Sequence, residues 1–113
     1  MTSSASLGLK AWLIQRFTAV YIAVFLLFIV FQLLLVPVHS YQEWVAWVAH
    51  PFINAALAVF IVSLLLHAWV GLRDVVMDYV KPPGVRIALF VVLIVLLTGC
   101  AMWSLRLLVK VAA

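Results

Sequence analysis

Three apolar runs, each longer than twenty residues, limit what this chain can fold into. They cover residues 12–36, 52–72 and 85–105. A helix needs roughly 20 apolar residues to cross a hydrocarbon core about 30 Å thick. The runs therefore predict an all-α integral membrane protein with three transmembrane helices. Composition agrees: 70% of the 113 residues are hydrophobic and 9% are charged, where a soluble domain has about half and a quarter. The chain reads as a single domain with spans at about 12–36, 52–79 and 85–106. Three helices bury one small interface and cannot enclose a transport pathway or a large cofactor by themselves. The expected setting is a heteromeric helical bundle in a lipid bilayer.

Several classes of chemistry drop out. The single cysteine, Cys100, allows no intrachain disulfide and no cysteine-ligated iron–sulfur or structural zinc site. It reads as a small buried residue, in a small-residue patch with Thr98 and Gly99 suited to helix packing. The four glycines are scattered and form no nucleotide-binding fingerprint. The net charge of +4 lies mostly beside the spans, which gives no support for binding nucleic acid. Residues 1–8 read as a short, polar, poorly ordered start. The apolar run after them is too long for a signal peptide, and there is no arginine-rich transit peptide. That favours a bacterial chain in the inner membrane.

The loop 37–51, PVHSYQEWVAWVAHP, carries Tyr41, Trp44 and Trp47. It reads as an aromatic belt on the membrane surface. His39 and His50 read as solvated or hydrogen-bonded surface groups. Basic residues set the orientation. Lys10, Arg16, Arg73, Lys81 and Arg86 fall on one side, and Arg106 and Lys110 on the other. The rule that basic residues stay inside places the N-terminus and the second loop in the cytoplasm, and the C-terminus in the periplasm.

The chemistry concentrates in residues 67–82, HAWVGLRDVVMDYVKP. His67 follows fifteen residues of which only Asn54 and Ser63 are polar. A histidine that deep in hydrocarbon needs a ligand or a hydrogen-bond partner. At about 100° per residue, Gly71, Asp74 and Asp78 lie within roughly 60° of His67 on one helix face. Ser63 and Gly71, one turn either side of His67, leave room for a flat macrocycle. A neutral imidazole on an apolar helix can ligate haem iron or pack against a neighbouring carbonyl or hydroxyl. Asp74 and Asp78 can be a solvated helix end with Arg73 and Lys81 as loose partners. Asp78, beside Tyr79, also lies near a helix C-terminus, where negative charge is disfavoured. Arg16, about one turn inside the first span, either snorkels to headgroups or faces a bundle interior and neutralises an anion.

The motif His67, Gly71 and Asp78-Tyr79 resembles the type D membrane-anchor subunits of succinate dehydrogenase, respiratory complex II. The resemblance covers nearly the whole chain, including three spans and the arginine entering the first. It implies that His67 is one axial ligand of haem b, its iron bound also by a companion three-helix anchor subunit. It implies that Arg16 meets a haem propionate, that Tyr79 donates a hydrogen bond to ubiquinone, and that Asp78 assists proton delivery there. It also implies an iron–sulfur subunit and a flavoprotein subunit docked on the cytoplasmic face, with no succinate site on this chain. No role is carried onto Arg73 or Asp74. Two alternatives remain open: the anchor of a fumarate reductase, and a structural membrane subunit without cofactor.

Overall fold

A computed structural model describes residues 4–113. The described residues form four helices: α1 (Ser4–Leu35), α2 (Tyr41–Ala49), α3 (Pro51–Tyr79) and α4 (Pro83–Ala112). The three long helices are each apolar and long enough to cross a membrane. At about 1.5 Å per residue, their 32, 29 and 30 residues exceed a bilayer core. The molecule is 50 Å along its longest axis.

The helices run up and down. Going along α1, Thr18 and Phe25 meet His67 and Phe60 in turn, so α1 and α3 are antiparallel. Trp69 meets Phe90 and Asn54 meets Leu108, so α3 and α4 are antiparallel too. α3 is the central element. Among the described residues α1 and α4 both pack on it, and their backbones do not approach each other closely. Few side chains are enclosed: Phe25, Ile53, Val70, Val76 and Leu108 are the buried hydrophobics, with Thr18 and Ser63 the buried polar residues. Large apolar side chains elsewhere face outward, Leu35 to 80% and Phe52 to 73%. In water such a surface would collapse or aggregate; a hydrocarbon solvent or partner helices accept it.

Polar clasps tie the helices together inside this apolar setting. The Tyr21 hydroxyl donates to the Ala56 carbonyl at 2.8 Å, joining α1 to α3. Phe25 packs between Tyr21 and Phe60, with ring centroids 5.9 and 4.9 Å away. At the far end the Asn54 amide donates to the Val48 carbonyl at 3.2 Å and to the Leu108 carbonyl at 3.1 Å. One side chain thereby links α2, α3 and α4. The Val48 carbonyl is among the last four of α2, which have no partner within their own helix.

Three details differ from the sequence reading. The chain is helical from Ser4, before the expected entry at Trp12. Ala5, Leu7, Leu9 and Lys10 all favour helix, and one interior glycine, Gly8, costs only about 1 kcal/mol. Residues 1–3 lie outside the described part. The loop 37–51 is not only a belt: it contains α2. The Ser40 side chain accepts from the Glu43 amide at 3.1 Å, and the Glu43 carboxylate accepts from the His39 amide at 2.7 Å. Ser-x-x-Glu ahead of an apolar run is a helix-start signal. Finally, Thr98, Gly99 and Cys100 are exposed, and nothing within 4 Å meets a Cβ built on Gly99. Among the described residues that patch faces outward rather than into a close helix contact.

Candidate functional site

α3 carries both candidate sites. Its start is secured by Pro51 in the first turn and by His50, whose Nδ1 accepts from the Phe52 amide at 3.2 Å. His50 thus acts as a helix cap, and His39 contributes its backbone amide to the start of α2. From there α3 runs unbroken through His67 to Tyr79, and the chain turns at Val80 and Pro82 into α4.

His67 faces α1. Its Nδ1 lies 3.2 Å from Thr18 Oγ1 and its Nε2 lies 3.4 Å from Gln15 Nε2. The Thr18 hydroxyl also lies 2.6 Å from the Ile14 carbonyl. Ser63, one turn away on α3, is buried. Gly71, one turn the other way, is half-buried, and a Cβ there would meet Gln15 Nε2 at 3.5 Å. The room that Gly71 leaves is therefore taken by Gln15 of α1 within this chain. Gln15 and Thr18 did not stand out in the sequence. Their signal was present: two polar residues three apart, on one helical face, inside an apolar span.

The arrangement fits a metal-ligating imidazole. A neutral imidazole has one N–H and one lone pair, and a metal at the lone pair of His67 would displace one of its two contacts to α1, of which the 3.4 Å contact to Gln15 is the longer. The neighbouring Gln15 Oε1 is buried without a hydrogen-bond partner. An unpaired buried amide oxygen costs about 1–3 kcal/mol, so the polar pair is incomplete in the chain alone. Among the described residues, no three His, Cys, Asp or Glu side chains gather to hold a bare metal ion. His67 by itself suits a metal whose other ligands come from a macrocycle or a second chain.

The other end of α3 is open. Trp69, Arg73, Asp74, Met77 and Asp78, with Phe90 of α4, line a cleft of about 580 Å³. Arg73 and Asp74 pair at 3.2 Å, with their side chains 39% and 59% exposed. Such a pair is worth little, about 1 kcal/mol or less. Asp78 borders the cleft, whereas Tyr79 is 80% exposed beside it. The face shared by His67, Asp74 and Asp78 in the helical projection thus divides: its inner part meets α1, its outer part opens toward α4.

The end of α3 is held from α4. α3 has no basic residue in its own last turn. Arg86 supplies the charge instead, donating from Nη2 to the Met77 carbonyl at 2.8 Å and from Nε to the Val80 carbonyl. A guanidinium there satisfies a helix-end carbonyl and complements the helix dipole. Arg16 is exposed and lies over the Trp12 ring, 5.5 Å from its centroid. It follows Gln15 directly, so it stands on the same turn of α1 as the group facing His67.

A family model for the succinate dehydrogenase/fumarate reductase transmembrane subunit matches residues 1–108. This chain belongs to that family. It is similar to the succinate dehydrogenase hydrophobic membrane anchor subunit of Coxiella burnetii (strain RSA 493 / Nine Mile phase I), with 33% identity over 99 residues. The match covers 88% of this chain and 86% of the relative. The three long apolar helices are those of a multi-pass membrane anchor.

Proposed function

We propose that the chain is the membrane anchor of a succinate:quinone oxidoreductase of the inner bacterial membrane. It docks a flavoprotein and an iron–sulfur subunit on the cytoplasmic side, beside a companion three-helix anchor. Succinate is oxidised on those partners, and this chain has no succinate site. Family membership and the similarity to a succinate dehydrogenase anchor support the assembly. Five of seven basic residues lie by the N-terminus and the second loop, which supports that orientation.

The observation that carries the site reading is the His67 imidazole, held against α1 deep in an apolar helix, with Nε2 engaged only by a long 3.4 Å contact to Gln15. His67 would hold the iron of haem b, and the companion anchor would supply a second ligand. Arg16, one residue from Gln15, neutralises a haem propionate. A haem bound there supplies a one-electron store within the membrane. The exit of α3 serves ubiquinone. The Tyr79 hydroxyl donates a hydrogen bond to a quinone carbonyl, and the Asp78 carboxylate takes part in proton delivery. Neither side chain has a hydrogen-bond partner among the described residues. Tyr79 lies twelve residues past His67, roughly 18 Å along the axis at about 1.5 Å per residue, at the edge of the bilayer.

The test is the assembled complex carrying Tyr79→Phe. Quinone reduction falls while succinate oxidation by a water-soluble acceptor and haem content stay at wild-type levels. Wild-type quinone turnover and affinity in that variant would place the quinone site on partner subunits.

A further inference from the structure

The contact between α1 and α3 admits one proton assignment that satisfies its short bonds. Thr18 has a single hydroxyl hydrogen. Its shortest contact is to the Ile14 carbonyl at 2.6 Å, with the Gln15 carbonyl second at 3.2 Å. Back-bonding of this kind is common for a threonine inside a helix. With its hydrogen turned into its own helix, Oγ1 presents only lone pairs to His67 Nδ1, 3.2 Å away. Two lone pairs cannot bond, so Nδ1 carries the imidazole hydrogen and donates it to Thr18. Nε2 is then the bare nitrogen. It accepts from the Gln15 amide over a long 3.4 Å contact.

Building on the haem-ligand reading of His67, we propose that Thr18 is a positioning residue that fixes the His67 tautomer and ring plane, so that Nε2 is the nitrogen offered to iron. Metal-ligating histidines characteristically donate their other N–H to an oxygen acceptor, which orients the ring and raises its basicity. Thr18 is suited to that task. It is 8% exposed, and its own hydrogen is engaged within α1. The residue in front of Nε2 is held loosely by comparison. Gln15 has one long contact through its amide nitrogen, and its oxygen is buried without a partner. It gives way to a stronger ligand, while Thr18 stays.

The donated bond increases electron density on the imidazole and favours the oxidised iron. Removing it raises the haem midpoint potential and weakens haem retention by about tenfold or more. The test compares Thr18→Val, Thr18→Ser and His67→Leu in the assembled complex. It reads haem content per flavin, the reduced-minus-oxidised spectrum and the midpoint potential. Thr18→Val shifts the potential upward and lowers haem content, while Thr18→Ser, which keeps the hydroxyl, behaves as wild type. Thr18→Ala carries the same expectation as valine and replaces it if that variant fails to assemble. A wild-type potential and haem content in Thr18→Val or Thr18→Ala, with haem lost or altered in His67→Leu, overturns the role of Thr18 and leaves His67 as the ligand. A haem unaltered in His67→Leu overturns the ligand reading, and this inference with it.

Discussion

The two ends of the reactive half of α3 are built differently. Around His67 the chain satisfies its own polar group: α1 supplies Thr18 and Gln15, and Gly71 leaves room for Gln15. Around Tyr79 the chain encloses almost nothing. The side chain is 80% exposed and Asp78 borders an open cleft. Only the backbone is controlled there, by Arg86 reaching across from α4. The contrast teaches where each site is completed. A half-buried imidazole in an apolar span is costly alone and has to be satisfied as the chain folds. A phenol at a water edge costs nothing to leave exposed, so its orientation can wait for the docked partners.

That difference gives ordered expectations. The largest effect is at the open end. Tyr79→Phe removes only a hydroxyl. A hydrogen bond to a reacting carbonyl, worth about 1.5–3 kcal/mol, corresponds to roughly a 10- to 100-fold loss of quinone reduction, with haem content unchanged. Asp78→Asn lowers the same activity and changes its pH profile if the carboxylate relays protons. A steady-state assay with quinone, set against one with a soluble acceptor, checks both.

Arg86 should come next. Arg86→Leu leaves the Met77 and Val80 carbonyls without their side-chain donor. At about 1–2 kcal/mol for such a loss, the end of α3 frays and the quinone KM rises roughly 5- to 30-fold. The haem spectrum stays put, since His67 lies three turns away. A spectrum that moved with Arg86 would show that the two ends are coupled.

At the enclosed end, Arg16→Leu should weaken haem retention and Lys10→Leu should not. Haem content of the two purified complexes separates them. Equal, negligible effects would leave Arg16 a membrane-edge anchor stacked on Trp12. The smallest effect belongs to the structure opposite both sites. Asn54→Leu removes two hydrogen bonds that join α2, α3 and α4. It should cost about 1–2 kcal/mol of stability, read as a lower melting temperature in detergent, with both activities retained.

How much of this was legible in the sequence depends on the kind of signal. Long apolar runs gave the three spans directly, and Pro82 and Pro83 marked where α3 must end. The Ser40-x-x-Glu43 start of α2 was equally readable but was outweighed by the aromatic residues around it. What could not be read was which face meets which neighbour. Helices that are apolar all round carry no stripe to say where the core lies. That α1 lies over His67, and that Arg86 reaches back to α3, follow from packing rather than periodicity. For the same reason the projected face from His67 to Asp78 looked continuous, although α1 covers one part of it and leaves the other open.

The separation of the two ends rests on His67 alone holding the haem from this chain. The most direct measurement is a reduced-minus-oxidised absorption spectrum of the purified complex, recorded for wild type, His67→Leu and Tyr79→Phe at equal flavin content. The b-type haem signal should be lost or shifted in His67→Leu and unchanged in Tyr79→Phe. A wild-type spectrum from an assembled His67→Leu complex would contradict the account.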